Sequence, residues 1–454
     1  MTAEAQFPAG FRWGVSTSAY QIEGAVTEGG RGPSTWDVFT GQPGRVLNGE
    51  TGAVACDHYH RYAEDVALMR ELGIDSYRFS FAWPRVQPGG RGPANPEGLA
   101  FYDRLIDELL TAGIQPVPTL FHWDTPQELE DAGGWLERDI TERFADYAAL
   151  LGERYADRVP HWITLNEPMV ITLMGYAVGA HAPGRELGFG ALPVAHHQLL
   201  AHGRAVQALR AAGATSIGIA SNHAPTWPAS ESAEDLEAAA LYDTLINWLF
   251  ADPLLLGRYP NDDLAAAMPG PVAEDLAVIS TPMDFFGINH YAPVSVGAPT
   301  GNADVAATDG IPLPPGLPFE PRTLEGYAKT DFGWPIAPAA FTEILRTFAD
   351  RYGDRLPPIY ITENGCSFDS VDDQRRIEYL DGYLRALQEA ISSGIDVRGY
   401  FQWSLLDNFE WAAGYSQRFG LVHVDFETLV RTPKASYGWF RDLIAKQRAV
   451  QGRG

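Results

Sequence analysis

The feature that most constrains the fold of this chain is a regular alternation of short apolar runs with amphipathic stretches of helical period. Runs that are apolar throughout are typical of parallel strands covered on both faces. Between them, apolar residues recur three and four positions apart, as on the buried side of a helix. The predicted strands cover residues 11–15, 76–81, 115–121, 161–166, 216–221, 285–289, 359–362 and 399–403. Successive strand–helix units of this kind predict an α/β fold, a closed (β/α)8 TIM barrel.

The length of 454 residues would also allow two or three domains. Residues 297–335 are rich in Pro and Gly, including Pro312, Pro314 and Pro315, and cannot form a regular helix. This segment is either a domain linker or a long loop. Because a linker here would split the sheet before the barrel closes, we favour a loop after the sixth strand. We therefore predict a single domain over residues 1–454, with long βα loops that form a substrate pocket at the C-terminal face.

Composition disfavours several classes of partner. The formal charge of −25 argues against nucleic acid and anionic membranes. No run approaches the roughly 18 apolar residues that a membrane span needs, and the N-terminal residues do not resemble a secretory signal. The two cysteines, Cys56 and Cys366, are too few for a disulfide framework. We expect both to be reduced, in a cytoplasmic protein whose partner is a small molecule.

We expect no cofactor and no metal. The sequence contains no Gly-rich phosphate loop, no His-Glu-x-x-His and no Gly-x-Ser-x-Gly. The adjacent His196 and His197 lie on a predicted helix without a carboxylate at metal-binding spacing. We therefore assign this pair a structural role.

Two glutamates follow predicted strands directly. Glu167 precedes Pro168, which favours an extended backbone before it. Glu363 follows a strand predicted to be buried and precedes an Asn-Gly turn signal. Each has a structural alternative, since Asn-Glu-Pro also begins helices. Carboxyl groups at two strand tips would converge at the mouth of a barrel, and such a pair with different pKa values is the arrangement that cleaves glycosidic bonds.

Further polar and aromatic residues lie at or near the ends of the predicted strands. Arg78, inside the second strand, is placed to pair with Glu363 and keep it ionised. Each of the others has an ordinary structural explanation, but together they would supply the hydrogen-bonding groups and flat faces that a pyranose ring requires. They are Gln21, Glu23, His122, Trp123, Asp124, Tyr291, Trp403, Glu410 and Trp411.

Four segments in order carry a family resemblance. Residues 11–24, Thr-Leu-Asn-Glu-Pro at 164–168, Ile-Thr-Glu-Asn-Gly at 361–365 and residues 403–411 resemble the signatures of glycoside hydrolase family 1. The resemblance extends from Phe7 to about Ile444. It implies an exo-acting, retaining β-glycosidase, most often a β-glucosidase, that acts on terminal β-glucosyl residues of glucosides and short oligosaccharides such as cellobiose. It also implies side activity on β-fucosides and β-galactosides.

The resemblance implies a role for each matching residue. Glu167 corresponds to the acid/base and Glu363 to the nucleophile. Arg78, Asn289 and Trp123 correspond to supporting residues, and Trp334 to a tryptophan on the leaving-group side. The residues that would hold the terminal sugar are Gln21, His122, Asn166, Tyr291, Trp403, Glu410 and Trp411.

Alternatives remain at this point. Another (β/α)8 glycanase would share Asn-Glu-Pro, but would not be expected to carry the set of Gln21, Glu410 and Trp411. Relatives that act on 6-phosphorylated sugars replace the Glu410–Trp411 pair. A non-enzymatic carbohydrate-binding protein would not need both carboxyls.

Two positions depart from the family pattern. His290 stands where Tyr is common, which would alter hydrogen bonding near Tyr291. Cys366 places a thiol close to Glu363 in sequence, which predicts sensitivity to thiol reagents.

Overall fold

The computed structural model describes residues 7–301, 305–308, 313–314 and 316–452. Within them, eight parallel strands form a closed barrel in which each strand pairs with the next along the chain and the last pairs with the first. The strands are β1 Arg12–Ser16, β2 Ser76–Ser80, β3 Gln115–Phe121, β4 His161–Asn166, β5 Ser216–Asn222, β6 Phe285–Asn289, β7 Ile359–Asn364 and β8 Val397–Trp403. The predicted fold class is confirmed, and the strand boundaries differ from the prediction by two residues at most.

Helices between the strands surround the barrel. They are α1 His58–Leu72, α2 Pro96–Thr111, α3 Asp139–Tyr155, α4 Leu192–Ala211, α5 Val272–Ile279, α6 Pro338–Tyr352, α7 Gln374–Ser392 and α8 Ala435–Gln451. α2 begins at a capping residue, Asn95, whose side chain accepts a hydrogen bond from the Glu97 N–H. α7 is followed by Gly394 at φ 101°, a left-handed conformation that glycine adopts without strain.

The barrel interior changes from apolar to polar along the strands. Five strand residues, Val117, Ile163, Ala220, Phe285 and Phe401, form an apolar cluster that is separate from the main core. Towards the strand ends the interior side chains are charged or amides, and they are described below. The strands thus place a polar site on an apolar floor at the C-terminal face, where (β/α)8 proteins carry their functional residues.

The connections after β4, β5 and β6 contain additional helices and strands. Residues 168–178 form a short helix followed by a π-helical turn, Ile171–Ala177. The connection after β5 contains the helices Ala233–Asp243, Leu249–Leu256 and Asp262–Ala267. A small sheet joins Thr226–Pro228, Val294–Gly297 and Glu320–Arg322.

The Pro-rich segment lies in the connection after β6, as predicted, and its described parts include one strand of that small sheet, Glu320–Arg322. Pro312 and Pro315 lie outside the described residues. A two-stranded sheet of Val422–Val424 and Arg431–Pro433 precedes α8. In the part of the chain that the structure describes, no helix is long and apolar enough to cross a membrane.

Candidate active site

Glu167 and Glu363 lie at the tips of β4 and β7 and meet at the barrel mouth. Their side chains are almost fully enclosed, yet each carboxyl group contacts polar neighbours. The Asn289 amide of β6 donates hydrogen bonds to Glu167 Oε1 at 2.8 Å and to Asn166 Oδ1 at 3.0 Å. Asn166 Oδ1 also accepts from Arg78, which contacts Glu363. A chain of hydrogen bonds therefore links two glutamates that are far apart in the sequence.

The buried guanidinium group of Arg78 connects Glu363 with Asn166 at the centre of the site. Arg78 of β2 donates one hydrogen bond to Glu363 Oε1 at 2.5 Å and another to Asn166 Oδ1 at 2.7 Å. Its Nη1 also donates to the Thr362 carbonyl oxygen at 3.0 Å. The predicted pairing of Arg78 with Glu363 is confirmed. Because the arginine is bidentate across two strand tips, it fixes both relative to one another.

The amide side chains are oriented by a continuous hydrogen-bond network. Asn166 donates to His122 Nε2 at 3.0 Å, and its oxygen accepts from Asn289 at 3.0 Å as well as from Arg78. Thr362 Oγ1 donates to Asn289 Oδ1 at 2.6 Å. Since both amides use their donor and acceptor ends, neither can rotate without losing contacts.

The two carboxyl groups have different electrostatic surroundings. Burial raises the pKa of Glu167 to about 8, the charge of Glu363 adds to this effect, and hydrogen bonds from Asn289 and Asn222 oppose it. Burial also raises the pKa of Glu363, but Arg78 and Tyr291 counteract this rise directly. Glu167 therefore lies in surroundings that keep it protonated at neutral pH, whereas Glu363 has a cation in contact.

The backbone of Glu167 differs from the prediction. An extended conformation was expected before Pro168, but the residue has φ 45° and ψ 64°, in the left-handed region. Proline excludes the right-handed helical region for the preceding residue, and the left-handed region satisfies this restriction too. The Glu167 N–H donates to the Ala220 carbonyl oxygen at 2.8 Å, which helps to hold the strained conformation.

A second polar group lies beside the carboxyls. Gln21 Nε2 contacts Glu410 Oε2 at 3.4 Å and donates to Asn408 Oδ1 at 3.1 Å. Burial raises the pKa of Glu410 to about 8, and the charges of Glu363 and Glu167 add to it. The mouth thus contains three acidic side chains close enough to influence one another.

The predicted aromatic residues gather around His122. The ring of His122 lies nearly parallel to those of Trp403 and Trp411, with centroids 5.8 and 5.9 Å away. Trp123 lies 4.5 Å from Trp411 and donates its indole N–H to the Asn166 carbonyl oxygen at 2.9 Å. Burial and the nearby Arg78 lower the pKa of His122, so its ring is neutral.

The chain after Glu363 passes very close to the aromatic group. A Cβ at Gly365 would lie 1.9 Å from the Trp403 carbonyl oxygen, so only glycine fits there. This close approach is the physical reason for the Asn-Gly pair that follows the glutamate.

Tyr291 and Trp334 extend the site outwards. The Tyr291 hydroxyl donates to Glu363 Oε2 at 2.7 Å, and its backbone oxygen accepts from the Tyr383 hydroxyl at 3.0 Å. The Trp334 ring lies 5.3 Å from that of Tyr291. Both residues line a cavity of about 390 Å³ beside the carboxyl groups.

One residue singled out in the sequence is bound elsewhere, and a second is left without a partner. Glu23 pairs with Arg85 at 2.9 Å and accepts a hydrogen bond from the Tyr102 hydroxyl. Its grouping with the sugar-binding candidates is therefore wrong. The carboxyl group of Asp124 is buried and neither of its oxygens has a hydrogen-bond partner among the described residues, so its grouping with those candidates stays a prediction.

The histidine pair has structural partners. His196 contacts Tyr259 at 2.6 Å and Asp275 at 3.0 Å, and His197 contacts the Trp135 carbonyl oxygen. The carboxylate partner of His196 comes from α5, too distant in sequence to have been inferred. Among the residues that the structure describes, no group of three His, Cys, Asp or Glu side chains is arranged to hold a metal.

Neither of the two residues that depart from the family pattern has the effect predicted for it. Cys366 is fully buried, and burial raises its pKa to about 12, so the expected sensitivity to thiol reagents is not supported. The His290 ring stacks on Phe341 at 5.0 Å and its Nδ1 contacts the His223 carbonyl oxygen at 2.9 Å. The Tyr291 hydroxyl bonds to Glu363 instead, so among the described residues the expected effect of His290 on that hydroxyl is not seen.

Sequence reasoning missed one contact of Glu167. Asn222 Nδ2 donates to Glu167 Oε1 at 3.1 Å. The predicted fifth strand ends at Ser221, and Asn222 is the next residue. A polar residue directly after a predicted barrel strand is the signal in the sequence that identifies this contact.

Comparisons with known proteins agree with this geometry. The family model for glycosyl hydrolase family 1 matches residues 3–449. Beta-glucosidase A of Acetivibrio thermocellus is 44% identical, covering 96% of this chain and 98% of its own length. Thermostable beta-glucosidase B of Thermobispora bispora is 46% identical, with 98% and 92% covered.

Two solved structures of β-glucosidases superpose closely on this chain. The psychrophilic beta-glucosidase BglU from Micrococcus antarcticus superposes with a TM-score of 0.92 at 46% identity, covering 97% of this chain and 98% of that one. The family 1 β-glucosidase of Thermotoga maritima gives 0.91 at 41% identity, covering 98% of each. With the family model matched across nearly its whole length, the chain belongs to glycosyl hydrolase family 1.

Proposed function

We propose that this protein is an exo-acting, retaining β-glucosidase, with Glu363 as nucleophile and Glu167 as acid/base. Its substrates would be terminal β-glucosyl residues of glucosides and short oligosaccharides such as cellobiose, with side activity on β-fucosides and β-galactosides. Relatives named β-glucosidase at 42–46% identity support the activity. The observation that carries the residue assignment is the unequal surroundings of the two carboxyl groups: the Arg78 guanidinium contacts Glu363, whereas Glu167 accepts, among the described residues, only from the neutral amides of Asn222 and Asn289.

In the first step, Glu363 attacks the anomeric carbon and the bond to the leaving oxygen breaks. Glu167 donates its proton to that oxygen, which departs as an alcohol. Arg78 and Tyr291 hold Glu363 in place through its two oxygens, at 2.5 and 2.7 Å. The product of this step is a covalent glucosyl ester of Glu363.

In the second step, water attacks the anomeric carbon and Glu167 takes its proton, while the bond from that carbon to the Glu363 oxygen breaks and Glu363 leaves as a carboxylate. The charge of Glu363 is one of the causes that raise the pKa of Glu167. Because the ester is neutral, that contribution disappears, and the pKa of Glu167 falls after the first step. The same residue is thereby suited to act first as an acid and then as a base, and two inversions leave the β configuration unchanged.

The residues around His122 would hold the terminal sugar. Glu410, oriented by Gln21, is placed to accept hydrogen bonds from sugar hydroxyls, while Trp411 and Trp403 offer flat faces. The contact between Gln21 and Glu410 joins the segments after β1 and β8 and restricts that end of the mouth, which supports attack at a chain end. The chain keeps the Glu410–Trp411 pair that relatives acting on 6-phosphorylated sugars replace, which disfavours a 6-phospho-β-glycosidase.

The proposal includes a single domain over residues 1–454 and a cytoplasmic location. Support for the location comes from two cysteines that are both free and buried.

Release of p-nitrophenol from its β-glucoside, compared with release of reducing ends from a long β-glucan, tests the function. We expect rapid cleavage of the glucoside and glucose as the product from the chain ends of the glucan. Rapid internal cleavage of the glucan would identify a glycanase. Binding of glucose without turnover of either substrate would identify a carbohydrate-binding protein.

A further inference from the structure

We propose that Lys434, at the start of α8, is a positioning residue for the reaction. Through a buried ion pair with Asp407 it holds the segment that carries Glu410 and Trp411. This inference rests on the proposed function, and it names a group that the function requires although that group does not contact the sugar.

The side chain of Glu410 is weakly held by its own contacts. Among the described residues its carboxyl group accepts one hydrogen bond, from Gln21 at the long distance of 3.4 Å. The next residue, Trp411, has φ 50°, a left-handed conformation that is strained for any residue other than glycine. The positions of both side chains therefore depend on how firmly the backbone of residues 403–411 is held.

That backbone is paired with a second stretch of chain that follows it. The Asp407 N–H donates to the Val422 carbonyl oxygen at 2.9 Å, and the Leu421 N–H donates to the Ser404 carbonyl oxygen at 3.0 Å. A Cβ at Gly420 would overlap the Asp407 nitrogen, so the two stretches touch where only glycine fits. Whatever fixes the second stretch therefore also fixes the sugar-binding segment.

The carboxylate of Asp407 fastens the two stretches together inside the protein. Its side chain is fully buried, and its Oδ1 accepts from the Lys434 ammonium at 2.7 Å and from the Gly420 N–H at 2.9 Å. Arg418 donates to Oδ2 at 3.3 Å. The Lys434 N–H donates in turn to the Leu421 carbonyl oxygen at 2.9 Å. The lysine thus contacts the sugar-binding segment with its side chain and the second stretch with its backbone.

The charge of Lys434 is what makes this contact strong. Its side chain is 1% exposed, and two opposite charges removed from water attract one another with little screening. Without the ammonium, the Asp407 carboxylate would keep one longer contact to a cation, that of Arg418. A buried carboxylate that loses its partner takes up a proton or moves towards water. Either change would displace the segment that ends in Glu410.

A double-mutant cycle between Lys434 and Glu410 tests the proposal. Lys434→Met removes the ammonium at nearly constant length and should lower kcat/KM for p-nitrophenyl β-glucoside about 30-fold, with kcat falling more than KM rises. In the Glu410→Ala background the same substitution should cost about threefold at most, because the group that Lys434 positions is absent. Equal losses in the two backgrounds would overturn the proposal.

Two controls separate this coupling from a general loss of structure. Lys446→Met makes the same substitution at an exposed position of α8 and should keep full activity. Lys434→Met combined with Asn222→Ala should give losses that multiply, because Asn222 lies on β5 and contacts Glu167 instead. Coupling to Asn222 as large as the coupling to Glu410 would overturn the proposal.

Thermal unfolding shows whether each variant is folded at the assay temperature. If Lys434→Met does not fold, Asp407→Asn takes its place in the same cycles, because it removes the other charge of the pair at constant size. We expect a loss of about tenfold that disappears in the Glu410→Ala background, and an undiminished loss would overturn the proposal. Failure of the unmodified protein to hydrolyse the glucoside would instead refute the proposed function.

Discussion

The barrel mouth and the cavity beside it adjoin one another but are built in different ways. In the mouth, side chains from β2 to β7 hydrogen-bond to one another, and Arg78, Asn166 and Asn289 each connect two strands. In the cavity, apolar side chains come from the connections after β4, β5 and β6. The difference teaches that the sheet fixes the positions of the carboxyl groups, while the loops, which are freer to vary, form the wall of the cavity beside them.

Replacing Glu363 by alanine should give the largest effect, because no step of the proposed reaction proceeds without the nucleophile. We expect kcat to fall on the order of 10⁵-fold for every glucoside, whatever its leaving group. Added azide should restore part of the turnover and yield an α-glucosyl azide, detected by NMR.

Glu378→Ala, at an exposed position of α7, is the control and should keep full activity. If azide gives the α product with Glu167→Ala instead, the two roles are exchanged.

Glu410→Ala should give the second largest loss of activity. If the bonds from Glu410 to the sugar strengthen in the transition state, kcat should fall by about 10² to 10³-fold, with a smaller change in KM. Steady-state kinetics on p-nitrophenyl β-glucoside measures both. A rise in KM alone would show that Glu410 binds the ground state and transition state equally.

Asn222→Ala probes the boundary between the two regions, because this residue contacts Glu167 and lines the cavity. The pKa of Glu167, about 8, should set the alkaline limb of kcat/KM, since the acid must be protonated. The Asn222 hydrogen bond stabilises the carboxylate and lowers that pKa, so its removal should move the limb to higher pH, by about one pH unit at most.

Profiles of kcat/KM from pH 5 to 10 measure this change, with Leu173→Asn as the control in the same cavity that leaves Glu167 untouched. A limb that moves to lower pH would contradict the assignment of Glu167 as the acid.

Treatment with a reagent that alkylates thiols should give the smallest effect of all, because we expect Cys366 not to react. A buried thiol with a raised pKa forms little thiolate, so iodoacetamide should leave activity within about twofold of the untreated enzyme. Denatured protein should react at both cysteines, which shows that the reagent is active. Inhibition that substrate prevents would place the thiol within reach of the site.

The sequence predicted the parts of the site that depend on strand order. Eight apolar runs placed Glu167 and Glu363 at the tips of the fourth and seventh strands of one barrel mouth, because parallel strands end on the same face. The pairing of Arg78 with Glu363 followed from the same logic, since an arginine inside a buried strand needs a counter-charge.

Features that depend on local backbone geometry were not predictable. The left-handed conformation of Glu167 has no signature in the Asn-Glu-Pro segment, because proline is compatible with both the extended and the left-handed regions. For two further residues, contacts inside the protein were not predictable from the sequence. Cys366 is three residues after Glu363, but its side chain is buried in the core. Glu23 follows the first strand closely, but it pairs with Arg85.

The central claim is that Glu363 forms a covalent bond to the sugar. Incubation with an activated 2-deoxy-2-fluoro-β-glucoside slows both steps and, with a good leaving group, accumulates the intermediate. Peptide mass spectrometry should then find one fluoroglucosyl group, attached to the peptide that contains Glu363. Attachment at Glu167, or substrate turnover that releases the α anomer first without any adduct, would contradict the account.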